Sequence, residues 1–481
     1  MSGYSEGGAS LLRKTLKTWT PNHLSAKSDI DRNLRTLRNR AHDLAINSPI
    51  GSAAINTFVT GVIGSGLKLF PRINAAELGL TPEQARLWRR KVKQEFALWS
   101  KHADFLRRNN FEELQIIAFA SYLTDGDCFC LFKRDLPARD NPLTLRVQLV
   151  EAQRVSNPLG GDLVEMIAPN GNRIVNGIEV DRAGRLVAIH VSNRLWNEFD
   201  TINAQIIWQR VKIHGNFLGL KNVLHICKDI RPDQFRGVPL LAPVIEALKQ
   251  VSRYSDSELV SSIIRSFFSV FFTQPASNFN MNEITGAEDE VDVSEYKLGS
   301  GTISALPRGV DVKAIDAQNA QSTFDSFVTQ FLKQIGAAIN LPYEILLKEF
   351  KSSYSASRAA LLQAENEFRQ RRNAFINDFC QPIYEQFLME AVALGRIDAP
   401  GFFDDPLKRH LYSQADWLCQ ADKSIDAVKD ANAAKLRLEQ GLSTYSEEIA
   451  KLFGADFEDV LGQLTQEREL LKDLGIMKAD L

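Results

Sequence analysis

The feature that most constrains the fold is a long run of apolar residues at helical spacing between Ser357 and Leu394. Apolar side chains recur there every three or four residues, as on one face of an α-helix: Leu361, Ala364, Phe368, Phe375, Phe379, Ile383, Phe387, Ala391 and Leu394. Such a helix would be roughly 55 Å long. Helices of this length bury their apolar face in a bundle or across a subunit interface, so we expect neighbouring helices or neighbouring subunits here.

The N-terminal half of the chain predicts an α+β domain. Residues 1–27 are rich in Gly, Ser and Lys and are expected to form a flexible arm. Helical periodicity predicts helices over Ser28 to Ala45, Pro49 to Val62, and from the N-cap Thr81. From Cys128 to His225, alternating β-forming residues with turns at 171–172 and 182–184 predict strands. The third helix carries a basic run that is either a solvated face or a patch for DNA or a partner: Arg86, Arg89, Arg90, Lys91 and Lys93.

Downstream, the pattern predicts two helices separated by an insert. One long helix should run from Val244 to as far as Phe272, and another from Phe324 to Asn340, ending before Leu341-Pro342. The insert between them is acidic, with strand-like segments SGTISALP and VDVKAI. A loop rich in Ser and Lys then leads into the long helix, and short helices follow it.

Composition excludes some classes of protein. Of 481 residues, 44% are hydrophobic, and the net charge is −2 with a pI near 6.4. This balance disfavours a protein that grips nucleic acid by neutralising many phosphates, although it suits a channel through which DNA must slide. The opening residues lack the apolar core of a signal peptide, and the most apolar window, 259–272, is too short for a membrane span; a soluble chain is expected.

The sequence contains no motif for common catalytic or metal chemistry. Phosphate-loop, HExxH and GxSxG patterns are absent from the sequence. The five cysteines form no CxxC, so Cys128 and Cys130 are read as buried thiols rather than as metal ligands. Asp125-Gly126-Asp127 is interpreted as a turn and His225 as a half-buried strand residue. The expectation is therefore no enzyme, no cofactor and no metal. The rival hypotheses are an enzyme that uses Asp125, Asp127 and Asp181, or an adaptor or scaffold without a channel.

Three segments of the sequence are specific enough to compare with a known family: VLHICKDIRPDQFRGVPLLAPVIEAL at 223–248, AAINLPYEILLKEFKSSYSASRAALL at 337–362, and the C-terminal helices from SIDAVKDANAAKLRLEQGLSTYSEE onward. With these segments in this order, the chain resembles the lambda family of tailed-phage portal proteins over more than four hundred residues. Two departures stand out. Asp426-Ala427 replaces the usual Asp-Pro, and Ser353 precedes Tyr354 where the family often has Asn.

The resemblance implies an α+β portal fold assembled as a dodecameric ring around a double-stranded DNA channel. The implied parts are an N-terminal arm (1–27), an α/β wing (28–240), stem helix 1 (241–272), a small β-containing clip (273–322), stem helix 2 (323–340), a tunnel loop (341–355), a long wing-to-crown helix (356–394) and a helical crown (395–481). The implied location is the portal vertex of the virion capsid, after synthesis in the bacterial cytoplasm, without a membrane. The implied partners are the terminase large subunit, the major capsid protein, the scaffold and the head-completion proteins.

The resemblance also suggests three groups of site residues. The tunnel-loop candidates for sequence-independent contacts with DNA phosphates are Lys348, Lys351, Ser352 and Ser353, together with Lys333 of the second stem helix. Residues expected to form fixed hydrogen bonds at the wing–stem junction or across subunits are Arg231, Gln234, Arg236, Gly237 and Arg358. In the clip, an acidic stretch either docks partners or keeps the clip soluble: Glu288, Asp289, Glu290 and Asp292.

Overall fold

The structure is a computed structural model that describes residues 9–10, 13–158, 164–195, 205–215, 219–267, 271–273, 311–313, 321–350, 353–419 and 426–474. It divides into two compact units. The first comprises 1–45, 52–242 and 365–481, and the second comprises 46–51 and 243–364. Both helices and strands are present, which confirms the mixed α and β class.

Helices account for more of the described residues than strands do, and most of the strands are short. The described helices are α1 Leu34–Asn47, α2 Pro49–Val62, α3 Pro82–Ser100, α4 Phe111–Asp125, α5 Ile245–Phe267, α6 Gln321–Ala338, α7 Tyr343–Leu347, α8 Tyr354–Phe375, α9 Gln381–Ala393, α10 Pro406–Tyr412, α11 Ala427–Glu439, α12 Tyr445–Phe453 and α13 Phe457–Asp473. The described strands are β1 Lys68–Pro71, β2 Asp127–Arg134, β3 Leu145–Val150, β4 Glu165–Ile167, β5 Arg173–Val175, β6 Ile178–Val180, β7 Leu186–Ser192, β8 Trp208–Lys212, β9 Val223–Cys227, β10 Phe271–Thr273, β11 Asp311–Lys313 and β12 Ala415–Leu418.

The first unit contains the strand-rich region that the sequence predicts. A five-stranded antiparallel sheet has the order β4-β5-β6-β7-β8, and a three-stranded sheet has the order β3-β2-β9. Their apolar faces share one buried cluster that includes Phe129, Leu131, Ile178, Ile189 and Val223. This cluster fixes the position of β2, the strand that begins at a buried group of charged residues.

The predicted N-terminal helices are mostly confirmed. Thr81 caps α3 through a reciprocal pair of bonds with Gln84, as its sequence pattern indicates. The first helix begins later than predicted, at Leu34, after a π-helical turn at Lys27–Asp31. The side-chain amide of Asn176 donates to both the backbone carbonyl (3.3 Å) and the carboxylate (3.0 Å) of Asp31, the last residue of this turn.

Part of the basic face of α3 binds another segment of the same chain. Arg89 forms an ion pair with Glu458, and Lys93 forms ion pairs with Asp456 and Asp459 at the start of α13. The favoured interpretation of this run as only a solvated face is therefore wrong for these two residues. Their partners lie about 370 residues away in the chain, beyond the reach of local patterns.

The long helix is confirmed, with one interruption. α8 and α9 are joined by a π-helical turn at Ile376–Cys380, where the backbone N–H of Gln381 donates to Ile376. Pro382 has no N–H to offer to the carbonyl four residues before it, so the hydrogen-bond ladder shifts by one residue there. In the first unit, aromatic rings of this helix pack against rings of three other elements: Phe387 against Phe96 of α3, Phe379 against Phe111 of α4, and Tyr384 against Trp417 of β12.

In the second unit, α5 packs on α6 through Tyr254, whose ring lies 5.4 Å from that of Phe324 and 4.6 Å from that of Phe327. The prediction of a helix reaching Phe272 is wrong, because residues 271–273 form β10 and pair with β11 at 311–313. That pairing confirms the strand in VDVKAI, whereas SGTISALP lies outside the described residues. The predicted tunnel loop also contains a short helix, α7, which begins directly after its N-cap Pro342, whereas α6 already ends at Ala338. None of the helices in the described ranges has the length and apolar character needed to cross a membrane.

Candidate functional site

A buried group of charges, which we call the Asp127 cluster, joins several elements of the first unit: Asp127, Arg38, His225, Arg236 and Gly237. Asp127 is 0% exposed, and its side chain follows the left-handed Gly126 that ends α4. Its carboxylate accepts hydrogen bonds from Arg236 Nε (2.7 Å) and Nη2 (3.2 Å), from Arg38 Nη2 (2.6 Å), and from the backbone N–H of Gly237 (3.2 Å). His225 Nε2 lies 3.1 Å from the same carboxylate.

The remaining donors of the two arginines bind backbone carbonyls. Arg236, whose side chain is 1% exposed, donates to the carbonyls of Ala152 (2.6 Å), Val155 (2.8 Å) and Asn176. Its guanidinium also lies over the Phe129 ring, 5.2 Å from the centroid. Arg38 donates through Nε to the carbonyl of Asp125 at 2.7 Å. The cluster therefore joins α1, the α4–β2 turn, β9 and the 231–237 segment into one body.

The charge states follow from burial and pairing. Burial alone would raise the pKa of Asp127, but Arg236 and Arg38, with a hydrogen bond from His225, hold it well below its usual value. Burial lowers the pKa of Arg38 to about 10, so this guanidinium stays charged at neutral pH. Asp125 differs, since burial raises its pKa to about 6 despite Arg38 and His42 nearby. Asp127 is thus an ionised anchor, whereas Asp125 can be protonated in mild acid.

Two glycines let the backbones at this junction approach each other. A Cβ at Gly237 would lie 1.8 Å from the carbonyl oxygen of Gly126, and one at Gly126 would lie 2.5 Å from the carbonyl carbon of Gly237. Only glycine fits at either position, and Gly126 also has φ of +89°. This close approach explains physically why the RPDQFRG segment needs a glycine at 237.

This geometry is that of a buried ion-pair network that stabilises the fold, and it is not that of a catalytic site. Asp127 has no exposed surface, and five nitrogen atoms already surround its oxygens, so it has no room for a substrate. Asp181 accepts from the backbone of Ala183 and Arg185 in a turn. Cys128 and Cys130 are buried thiols whose pKa burial raises. In the described ranges, no group of three or more His, Cys, Asp or Glu residues is arranged to hold a metal ion.

The other three predicted junction residues lie outside the Asp127 cluster. Arg231 forms an ion pair with Asp29 and donates to the carbonyl of Leu24 at 2.8 Å. The Gln234 amide donates to the carbonyl of Arg236 at 2.8 Å and accepts from the backbone N–H of Ile230 at 3.0 Å. Arg358 is exposed on α8. Arg231 therefore attaches the N-terminal segment to the 231–237 loop, and Gln234 stiffens that loop.

The candidates for DNA contact occupy different settings in the second unit. Lys348 is exposed and ends α7 in the left-handed conformation, with φ of 57°. Lys333 is exposed on α6, with its ammonium over the Tyr343 ring at 5.1 Å. Ser353 precedes α8, where its hydroxyl accepts from the backbone N–H of Ala356 at 3.4 Å. It is thus also a helix cap. The remaining candidates lie outside the described residues: Lys351, Ser352, Glu288, Asp289, Glu290 and Asp292.

Sequence reasoning missed the central role of Asp127. It interpreted Asp125-Gly126-Asp127 as a turn, which the left-handed Gly126 confirms, but it did not connect Asp127 with Arg38 or His225. These partners are 89 and 98 residues away in the chain. The sequence did contain one signal: the segments RNLRTLRNR and RPDQFRG each carry several arginines, and an arginine that becomes buried needs an acidic partner such as Asp127.

Comparisons with known proteins show to which family the chain belongs. The profile of the phage portal protein, lambda family, matches residues 13–372. Portal protein B of Escherichia phage lambda is 24% identical and aligns over 97% of this chain and 89% of its own length. The portal protein of Escherichia phage N15 is 24% identical, over 97% of this chain and 90% of its own length.

Two solved structures also align with the chain. The neck of a native gene transfer agent particle, computed with C12 symmetry, gives a TM-score of 0.44 at 10% identity, over 88% of this chain and 94% of that chain. An HK97-family portal protein from Corynebacterium diphtheriae gives a TM-score of 0.30 at 10% identity, over 66% of this chain and 82% of that chain. The family profile covers most of the sequence, and on that match the chain belongs to the lambda family of phage portal proteins.

Proposed function

We propose that this chain is the subunit of a dodecameric portal ring at one capsid vertex, through which terminase packages double-stranded DNA and through which the DNA later leaves. On this proposal, the parts implied by the resemblance are a wing at 28–240, a first stem segment at 241–272 that contains α5 and ends in β10, a clip at 273–322, a second stem segment at 323–340 within which α6 ends, a tunnel loop at 341–355, a long helix at 356–394 and a crown at 395–481. The ring also nucleates head assembly with capsid and scaffold proteins, and its clip docks terminase and head-completion proteins.

The observation that carries the proposal is an apolar face of α5 that is exposed among the described residues of the second unit. On α5, the side chains of Leu259, Val260 and Ile263 are 62%, 53% and 47% exposed. They point away from Tyr254, the residue through which α5 packs on α6. A contiguous apolar face of this kind marks an interaction surface, and in a ring each copy can cover that of its neighbour.

The exposed lysines supply the DNA chemistry of the proposal. Lys348 and Lys333 are solvent-exposed point charges, and few of them act together, so phosphate contacts would be transient. Such contacts read no base sequence, as a channel for a whole genome requires. The energy for packaging comes from terminase, since the portal itself acts through shape and charge rather than catalysis.

The assembly can be tested by placing charge on the apolar face. We expect Leu259→Glu with Ile263→Glu to prevent ring formation, as measured by light scattering and negative-stain microscopy, because each glutamate would be desolvated at the interface. Ser262→Glu, at an exposed neighbouring position on α5, is the matched control and should still form rings. Rings of normal size and yield from the double variant would overturn this interface.

The DNA contacts can be tested separately. Lys348→Ala combined with Lys351→Ala should leave ring formation intact and change the amount of DNA packaged or retained in virions. Lys348→Ala keeps a Cβ at the left-handed position, so it removes the charge without changing the backbone preference. Lys101→Ala, at an exposed site in the first unit, is the control. Packaging unchanged from wild type would remove both tunnel lysines from the DNA-contact set.

A further inference from the structure

A cavity of about 440 Å³ opens in the first unit, and no residue of the Asp127 cluster is among those that line it. Its walls come from the segment before β9, from α9, and from the region of α10. The residues that matter for recognition are Lys221, Glu385, Met389, Phe402, Arg409 and His410. A cavity of this size can hold a few side chains of a bound peptide.

The cavity has more positive than negative charge. The cations Lys221 and Arg409 line it, with His410 beside them, against a single carboxylate, Glu385, which already accepts a hydrogen bond from Gln381 at 3.1 Å. Arg409 and His410 form no ion pair with any residue in the described part of the chain. Lys221 is near Asp378, where its charge opposes the rise that burial causes in the pKa of that carboxyl. The uncompensated charge therefore lies mainly on the α10 side.

Beside these cations, part of the cavity lining is apolar, and hydrogen bonds hold its walls in place. Leu220, Pro382, Met389 and Phe402 form the apolar part of the lining. The buried Gln386 amide donates to the carbonyl of Lys221, and the Gln381 amide donates to the carbonyl of Ser413 at 2.8 Å. These bonds hold both sides of the cavity to α9, so the site is formed before any ligand arrives.

We propose that this cavity binds an acidic peptide segment of a partner protein, with carboxylates on Arg409 and Lys221 and an apolar side chain against the half-buried Met389 and Pro382. A DNA duplex is a poor fit, because its convex surface offers phosphates but no apolar group that could enter a recess. Bound phosphate is also disfavoured at the start of α10, where the Asp405 carboxylate already accepts from Leu407 N–H at 2.8 Å. The cavity lies within one subunit, so peptide binding does not require ring formation.

The test uses the full-length protein and a short fluorescein-labelled peptide of glutamates interrupted by one phenylalanine and one leucine. Fluorescence anisotropy should show saturable binding that weakens at least about tenfold in the variant Lys221→Gln with Arg409→Gln, since each loses a charge-assisted hydrogen bond. Lys101→Gln with Arg182→Gln changes the net charge equally at exposed sites elsewhere in the first unit and should bind normally.

Two further peptides separate the parts of the site. Replacing the glutamates by glutamine, or the phenylalanine and leucine by alanine, should each reduce binding at least about fivefold, because charge and apolar contact both contribute. Absence of saturable binding, equal weakening in the control variant, or displacement of the peptide by short duplex DNA at lower concentration than by unlabelled peptide would each overturn the proposal.

Discussion

Replacing Asp127 by asparagine tests the Asp127 cluster most sharply. Asparagine keeps the shape of the side chain and can still accept some hydrogen bonds, but it removes the negative charge. Arg236 and Arg38 have side chains that are 1% and 5% exposed, so both positive charges would stay buried without their partner. We therefore expect a large loss of stability from a change of very few atoms.

The size of the effect follows from the type of interaction that is broken. Removing one partner of a buried ion pair costs about 3–5 kcal/mol, because the other charge is left desolvated. Two arginines share Asp127, so we expect the free energy of unfolding to fall by at least about 3 kcal/mol. The pKa of Asp127 is depressed in the folded chain, so its contribution is complete above the unfolded pKa of about 3.9 and is lost only as the pH falls below it. Asp127 itself stays ionised between about pH 5 and 8, so the loss in Asp127→Asn should persist across this range and vary there only with the charge of Asp125, whose pKa the Asp127 carboxylate helps to raise.

Urea unfolding at a fixed subunit concentration, followed by tryptophan fluorescence, gives the comparison. The control is Asp416→Asn, which breaks the exposed pair with Arg72 at 3.0 Å and should cost less than about 1 kcal/mol. Equal, small losses for the two variants would refute the claim that the Asp127 cluster locks the first unit.

Three further changes have defined outcomes. Gly237→Ala should lower the urea midpoint strongly, because the new Cβ would lie 1.8 Å from the Gly126 oxygen. The control Gly462→Ala on α13 meets nothing within 4 Å and should be neutral or slightly stabilising. Similar midpoints for the two variants would contradict the close approach of Gly126 and Gly237. Burial raises the pKa of Asp125 to about 6, so the ionised form of this carboxyl destabilises the folded chain at higher pH. Asp125→Asn should raise the free energy of unfolding by about 1–3 kcal/mol near pH 8, and this gain should shrink as the pH falls toward about 4. A gain that does not depend on pH would contradict burial of the Asp125 charge as its cause. Ser353→Ala should speed amide hydrogen exchange in the first turn of α8, at a cost of about 1 kcal/mol, while Ser353→Asp should not; equal exchange in all three proteins would exclude the cap.

Local patterns were enough to predict many elements of the fold. The bounds of α2, the start of α3 at Thr81 and the apolar face of the long helix all follow from residues within a few turns of one another. The interruption at Ile376–Cys380 could have been anticipated from Pro382. The helix after Pro342 could not, because a loop rich in Ser and Lys gives little periodic signal over five residues.

Long-range contacts account for what the sequence did not reveal. β1 pairs with β12 through Lys68 and Leu418, and α3 pairs its basic residues with α13, yet no local pattern links these segments. The same holds for Asp127, whose role depends on arginines 89 residues before it and 109 residues after it in the chain. Lys348 is exposed, and its contact with DNA stays a prediction. Ser353 caps α8, a structural role that its position in a polar loop did not indicate.

Electron microscopy of the purified full-length protein provides the most direct test of the proposed ring. We expect class averages of closed rings of about a dozen copies, each with a central opening of at least about 20 Å, the width that a DNA duplex needs. A folded single subunit that persists at high concentration, without any assembly that encloses a pore, would contradict the account.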